Sequence, residues 1–472
     1  MINKIIRIIV VTATIFFTPM KTVSAQDNPT YPIYIVQPGE TLTQIAYKFN
    51  VSLDDLIQIN GIVNPNLISE GTQLYIPDLE GVSGILTTQT VGLGESLRSF
   101  LRQYQIPKEL FMLLNRITSP QEIYAGSSLI IPMDESNKPL INTHNLQKYQ
   151  TLFEQTVVLN ENPWTVTYNN QINYSIDFLP GEPIFTTSED EENEIISISP
   201  YIQSVDINPL PLVQGHTTLI KIKSYLPLII KGHLGSRELH FFLSTEEENI
   251  YYALQGIHAM TKPGLIPLYL EGYFENGQSF ALEQNLLLES GMYPKDPPLH
   301  VLDETVDPSI TKQENDFVNL IIESITPEQN WSGNFRYPVD GSLEEGTIGF
   351  TSRFGNRRSY NNSEYIYFHT GVDFGVYVNS LNIYAAALGR VVFAGLLTVR
   401  GNATYIDHGQ GIFSGYFHQN EIFVKEGDFV EAGQLIGLIG NTGRVTGPHL
   451  HWEVWANGVQ VDPVDWVNNT YP

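Results

Sequence analysis

The chain has 472 residues, no cysteine, and 51 acidic against 25 basic side chains, a net charge of −26. At roughly 100–200 residues per domain, this length predicts about three to four domains. Without cysteine, disulfide scaffolds, thiolate metal sites, cysteine nucleophiles and lipid acylation at a cysteine are excluded, and the acidity excludes nucleic acid as a natural partner. Charged residues make up 16% and aromatic residues 11% of the chain, too apolar a mixture for a disordered acidic tail.

The first elements in chain order read as an export signal. Lys4 and Arg7 form a basic start, Ile8 to Phe17 an apolar run, and Val23-Ser24-Ala25 a small-residue cleavage site, so residues 1–25 are predicted to be a cleaved signal peptide with Gln26 as the mature start. The apolar run of about ten residues is short for a bilayer span, and no later stretch is long enough, so the mature chain is expected to have no transmembrane segment. Removing the signal leaves 22 basic and 51 acidic residues, a net of −29.

A repeat with an offset of 55 residues follows. Gly39-Glu40-Thr41-Leu42 recurs as Gly94-Glu95-Ser96-Leu97. Asn60, Pro65, Gly71 and Pro77 recur at Asn115, Pro120, Gly126 and Pro132, and Leu152, Asn170 and Gly181 continue the register. In the first copy the pattern is a strand (Tyr34-Ile35-Val36), a helix with Leu42, Ile45 and Ala46 on one face, and a second helix opened by a capping-box pattern at Ser52 and Asp55. A turn at Gly71 and a closing strand, Leu74 to Pro77, complete it. Such β-α-α-β units resemble the LysM module, and the resemblance implies binding to N-acetylglucosamine-containing glycans such as peptidoglycan. It covers 33–77, a divergent copy at 87–132 and a degenerate one at 140–187, where Glu161 and Thr187 depart from the pattern.

Ser188 to Glu192 reads as a solvated acidic linker. Residues 197–290 then alternate short β-rich stretches, such as Thr218 to Ile222 and Leu239 to Leu243, with turns at Lys262-Pro263-Gly264 and Glu275-Asn276-Gly277, which predicts an Ig-like β-sandwich. Its histidines, His216, His233, His240 and His258, have no ligand spacing and read as ordinary strand or loop residues. Within a linker at 291–334, Asp307-Pro308 marks a helix start, and Ile310, Phe317, Leu320 and Ile321 predict an amphipathic helix ended by Pro327.

Five of the eleven histidines lie between 369 and 451. His369 and Asp373 flank Gly371, whose small size permits a bend that lets both side chains converge. His449 and His451 are two apart in a β-like stretch and so share a face. His418 supplies a third separate imidazole. A catalytic zinc needs about three such ligands and an open position. Either motif alone is weak; the combination beside glycine turns is much stronger.

Residues 335–472 resemble the lysostaphin/LytM-type peptidoglycan endopeptidases of metallopeptidase family M23. The match rests on Ser352-Arg353-Phe354-Gly355-Asn356-Arg357, the H-x-x-x-D at 369–373 and Gly415-Tyr416-Phe417-His418. It extends through the strand-turn-strand stretch Val424 to Gly440 and Gly440-Asn441-Thr442-Gly443 to Gly447-Pro448-His449-Leu450-His451. The resemblance implies one Zn2+ held by His369, Asp373 and His451, with His418 and His449 as the catalytic pair. His408 reads as structural, and Tyr365 and Tyr367 do not align as oxyanion donors. Asn379, Leu381 and Gln419 depart from the family pattern, which touches substrate preference more than the metal site. This stretch carries 13 acidic and 8 basic residues, so the acidity resides mainly in the repeats and sandwich. That suggests glycan contact through neutral hydrogen bonds and aromatic stacking.

The expected fold class is multidomain and mainly β: small β-α-α-β modules, an Ig-like sandwich and a C-terminal antiparallel β metallopeptidase domain. The expected function is a secreted zinc endopeptidase, in the cell wall or periplasm, cutting peptide cross-links of peptidoglycan while LysM modules hold the glycan. The alternative is a non-enzymatic cell-wall-binding regulator of other hydrolases.

Overall fold

The computed structural model describes residues 31–472 apart from 38, 80–81, 134–138, 141, 146–150, 173–182, 187–198, 200, 342–348 and 376–379. The expected signal peptide, Gly181, Thr187, the acidic linker and Asn379 lie outside the described residues. Among the described residues no helix is long and apolar enough to cross a membrane. The chain divides into two compact units, residues 1–85 and 86–472.

The first unit holds one β-α-α-β module: Ile33–Ile35, Leu42–Phe49, Leu53–Ile59 and Gln73–Tyr75, the two strands pairing antiparallel. Leu42, Ile45, Ala46 and Phe49 bury the face that helical spacing predicts. Ser52 caps the second helix by accepting from the Asp55 N–H, but the reciprocal capping box forms one helix earlier, between Thr41 and Gln44.

The second unit starts with two further copies, built on helices Leu97–Tyr104 and Lys108–Asn115, then Leu152–Val158 and Pro163–Asn169. The physical basis of the 55-residue offset is visible in the hydrogen bonds. Thr41, Ser96 and Thr151 each form a capping box with the residue three further on, Gln44, Ser99 and Glu154. Asn60, Asn115 and Asn170 end the second helix of each copy. The Nδ2 of each donates to a helical carbonyl four residues back and to the closing strand at Tyr75, Ile130 and Phe185, whose N–H donates back to its Oδ1. One amide thus closes each module, and it persists in the third copy, where Asn170 is fully buried.

The sandwich has two sheets. One contains, in spatial order, Arg237–Leu239, Leu228–Leu234, Gly264–Phe274, Ser279–Glu289 and Leu212–Val213. The other contains Phe242–Leu243, Ile250–Gly256, Thr217–Ser224 and Ile202–Asn208. Alternation along Thr217–Ser224 and Gly264–Phe274 turns Ile220, Ile222, Leu268 and Leu270 into the shared core.

The C-terminal domain is a ten-stranded antiparallel sheet whose central strands lie in the order Val372–Gly375, His449–Ala456, Ile412–Ile422, Gly401–Gly409, Gly389–Leu397. Its core continues into the sandwich, with Leu254 and Ala259 in one apolar cluster with Val454, Ala456, Val461 and Trp466. Polar ties cross the same boundary. The Asp462 N–H donates to Gly215 O at 2.7 Å, Trp466 Nε1 to Thr217 Oγ1 at 2.9 Å, and His216 pairs with Asp465 at 2.7 Å. His216 is therefore an interface residue, a role its isolated position in the sequence does not signal.

The linker helix spans Pro308–Ile322, capped by Asp307. It ends before the predicted stop, and its buried residues are Glu314, Val318 and Ile322, while Leu320 is exposed. The difference has a physical reason: the helix docks through a carboxylate. Glu314 accepts from the main-chain N–H of Val399 (2.7 Å) and Arg400 (3.1 Å) and from the Arg400 guanidinium (2.9 Å).

Glu314→Ala strands the Arg400 charge and two amides in a buried site and is expected to cost about 3–5 kcal/mol, read as a lowered urea midpoint by tryptophan fluorescence; a change below about 1 kcal/mol would contradict it. At the sandwich boundary, burial pushes the Asp462 carboxyl from 3.8 up to about 6. A carboxyl that keeps its proton longer when folded favours the folded state at low pH. That contribution, up to about 3 kcal/mol, is complete below about pH 4 and lost by about pH 6. His216 is opposed by burial but raised by Asp465, and its contribution likewise fades as pH rises. Asp462→Asn, which keeps a capping oxygen, should therefore flatten the fall in thermal midpoint between pH 4 and 6; parallel profiles for both proteins would refute the assignment.

Candidate metal centre

Three sequence-predicted residues converge at one buried point. His369 Nε2 lies 2.9 Å from Asp373 Oδ1 and 3.0 Å from His451 Nδ1, and His451 Nδ1 lies 2.8 Å from Asp373 Oδ1. Among the described residues this is the cluster of His, Asp and Glu able to hold a metal ion. The sheet produces it: Asp373 and His451 face each other directly across the antiparallel pair Val372–Gly375 and His449–Ala456. Gly371 matters through close approach, since a Cβ there would sit 2.2 Å from the Trp452 carbonyl oxygen and 3.0 Å from His451 Nε2.

The donor set fits a divalent metal. His369 Nδ1–H donates to the Arg353 carbonyl at 2.8 Å, which leaves Nε2 with a free lone pair. Burial pushes His369 down to about 4, so it is neutral at ordinary pH. Glu453 Oε1 lies 3.3 Å from His451 Nε2, on the far side of the ring from Asp373, and a proton held there frees Nδ1 as a ligand. Asp373 is opposed by burial yet held well below the usual carboxylate range by His369 and His451. It is thus an anion with Oδ1 turned to the imidazoles.

His418 and His449 stand beside this group. Their rings are 4.8 Å apart, and His418 lies 6.0 Å from the His451 ring. His449 and His451 share a face as strand alternation requires. His418 reaches the site by a different device. Phe417 stacks on His451 at 5.5 Å, so the next residue of a regular strand would point away. A register shift opposite Asn402 and Thr404, with φ of +62° at His418, re-aims its side chain to the same side. Its N–H donates to Arg400 O (3.0 Å) and its Nδ1–H to Thr442 O (2.7 Å), while His449 Nδ1–H donates to Gly447 O (2.8 Å). Both Nε2 atoms are left as acceptors. Burial, then the neighbouring His449 and His451, push His418 well below its ordinary value.

His408 does not join them. It is buried, held by Leu388 O and Ser414 Oγ, and neutral because burial lowers it to about 4. Gln419 is buried and donates to Thr404 Oγ1 and Tyr416 O, and Leu381 is exposed. Tyr365 donates to Asp296 O, and Tyr367 packs against Tyr360. Sequence reasoning assigned no role to the residues that hold the ligands, namely Arg358, whose Nη2 donates to Asp373 Oδ2 at 3.0 Å, Ser352 at 3.2 Å from His369 Nδ1, and Glu453 beside His451, nor to Thr442, whose carbonyl accepts from His418. Ser352 and Thr442 lie within the matched motifs, whereas the signal for Arg358 and Glu453 is proximity to motif residues. The cluster opens on a cleft of about 950 Å³, along which Arg444 lies over the Tyr360 ring.

Comparison with known proteins agrees with this architecture. Residues 367–463 match Peptidase family M23, and residues 34–77 and 90–132 match the LysM domain. The chain is 39% identical over 127 residues to the peptidoglycan DD-endopeptidase ShyA of Vibrio cholerae, covering 27% of this chain and 28% of ShyA. It is 41% identical over 96 residues to the DD-carboxypeptidase/endopeptidase Mpg of Neisseria meningitidis, covering 20% and 22%. A solved catalytic domain of the prophage-encoded M23 protein EnpA from Enterococcus faecalis is 31% identical, covering 27% of this chain and 95% of that one, with a TM-score of 0.23. The chain carries a domain of peptidase family M23, preceded by LysM domains. Its matches span little more than a quarter of the curated relatives' length.

Asp373→Ala is expected to abolish stoichiometric metal uptake, measured by elemental analysis after dialysis against one equivalent of metal, whereas His449→Ala should retain it. Equal metal content in both variants would contradict the ligand assignment.

Proposed function

We propose that the protein is a secreted zinc metalloendopeptidase that hydrolyses peptide cross-links of bacterial peptidoglycan, held on the glycan by its LysM modules. The observation that carries this reading is the convergence of His369, Asp373 and His451 with two further imidazoles, His418 and His449, whose Nε2 atoms are free to accept. Zinc held by the first three would supply Lewis-acid polarisation of the scissile carbonyl and lower the pKa of the attacking water. The chain's own residues do the rest. One of His418 and His449 takes the proton of the attacking water, for which a neutral ring is required; the depressed pKa of His418 meets that need. The other stabilises the developing oxyanion or returns a proton to the leaving amine. The second reading, a regulator of other hydrolases without activity of its own, sits poorly with a complete ligand set.

The relatives named as peptidoglycan DD-endopeptidases support the substrate class. Weak glycan contacts by several modules raise the effective concentration of cross-links near the catalytic centre, so retention on the wall does not require tight binding by any one. Cleavage outside the cell or in the periplasm agrees with the basic, apolar and small-residue run at the start of the sequence.

The test is mass spectrometry of muropeptides after incubation of purified, cross-linked sacculi with the zinc-loaded chain. Conversion of dimers to monomers by the wild type, lowered at least about 10²-fold in His418→Ala and His449→Ala at unchanged zinc content, is the expected result. Unchanged dimers with the wild type, or full activity in either variant, would sink the proposal.

A further inference from the structure

We infer that Asp296, which lies outside the M23 motif block, is a positioning residue of the metal centre, acting on two ligands through Arg358 and Ser352. The inference rests on the reading of His369, Asp373 and His451 as ligands and extends the centre into the segment that precedes the peptidase domain.

Residues 294–299 run alongside the strand-like stretch 357–361. The Asp296 N–H donates to Arg357 O (2.9 Å) and the Arg357 N–H to Pro294 O (2.8 Å). The Leu299 N–H donates to Ser359 O (2.9 Å) and the Asn361 N–H to Leu299 O (2.8 Å). Tyr365 OH donates to the Asp296 carbonyl at 2.9 Å. The backbone of Asp296 is thus fixed on both sides, which a loose interdomain linker would not be.

Its carboxylate is turned inward. Oδ1 accepts from Asn356 Nδ2 at 2.7 Å; Oδ2 lies 3.5 Å from Arg358 Nε, an ion pair without hydrogen-bond geometry, and 3.4 Å from Ser352 Oγ. Arg358 Nη2 in turn donates to Asp373 Oδ2 (3.0 Å) and to Ser352 Oγ (2.9 Å), and Ser352 Oγ is 3.2 Å from His369 Nδ1. Each of two ligands is therefore reached from Asp296 through one side chain. Arg358 holds the Asp373 oxygen that faces away from the imidazoles, and so sets which oxygen is presented to the cluster.

The charges give the arrangement a second effect. The Arg358 side chain is only 13% exposed and the Asp373 side chain 9%, so screening by water is weak. A guanidinium beside a ligand orients that ligand but also opposes a nearby divalent cation. Asp296 offsets the opposing field while keeping the orienting hydrogen bond. Outer partners of metal ligands commonly contribute about 10–100-fold in metal affinity.

The experiment uses the full chain and zinc itself, with affinity measured by competition with a chromophoric chelator. Asp296→Asn preserves shape and removes the charge; it is expected to weaken zinc binding at least about tenfold. In an Arg358→Met background the same substitution should cost clearly less, because the Arg358 route is gone and only the contact through Ser352 remains. The metal-free thermal midpoint, measured in parallel, registers any purely structural role. Unchanged zinc affinity in Asp296→Asn, whatever the midpoint does, overturns the inference, as does an equal loss with and without Arg358. A wild-type chain that takes up no zinc would overturn the metal reading itself, and this one with it.

Discussion

The candidate metal centre of the C-terminal domain is built around one buried anion. Asp373 is buried and ionised, and an isolated carboxylate there would be untenable without partners. Its two oxygens are divided between two tasks: Oδ1 meets the imidazoles of His369 and His451, and Oδ2 meets Arg358. The strand register makes the first contact, because residue 373 and residue 451 are direct antiparallel neighbours. The second contact requires a buried cation, and that cation in turn requires a counter-charge. The polar layer beneath the cluster is the consequence of that sequence of demands, and it leaves the imidazole tautomers little choice.

The pair on the other side of the cluster follows from a different constraint. A strand places alternate residues on one face, yet Phe417 and His418 are adjacent and both face the site. Only a local break in the ladder permits this, and a non-glycine residue at φ +62° is strained unless its surroundings hold it. Three contacts do so: the Arg400 carbonyl on its N–H, the Thr442 carbonyl on its ring, and the His449 ring beside it. Arg400 is itself held by Glu314 of the linker helix. The linker therefore reaches both halves of the site, the ligands by way of Asp296 and the His418 bulge by way of Glu314.

Legibility in the sequence follows the range over which each interaction acts. The repeat is readable because its physics is local. Thr41, Ser96 and Thr151 cap helices three residues on, and Asn60, Asn115 and Asn170 clamp strands fifteen residues on, so the pattern survives at fixed spacing. Alternation likewise reveals the shared face of His449 and His451. The linker helix is readable in its cap but not in its packing face, because Glu314 is buried for a partner more than eighty residues away. Resemblance points to His418, but nothing local in Tyr416-Phe417-His418 announces a bulge. Asp296 and Arg358 carry no periodic signal; their meaning lies in each other and in Asp373.

The same distinction bears on where the C-terminal domain begins. Composition and turns divide the second half of the chain into sandwich, linker and peptidase, and the motifs lie in the last of these. The energetics divide it differently. Leu254 and Ala259 of the sandwich belong to the apolar cluster of the peptidase sheet, Thr217 satisfies the Trp466 indole, and Gly215 accepts from the Asp462 N–H that opens the final helix. Cutting at a compositional boundary would expose apolar core, leave Arg400 without its carboxylate and remove the counter-charge of Arg358. A boundary in sequence marks where the hydrophobic pattern changes, whereas a boundary in folding must fall where few buried contacts cross. In this chain the two do not coincide, since polar groups on either side of the linker complete one another's hydrogen bonds.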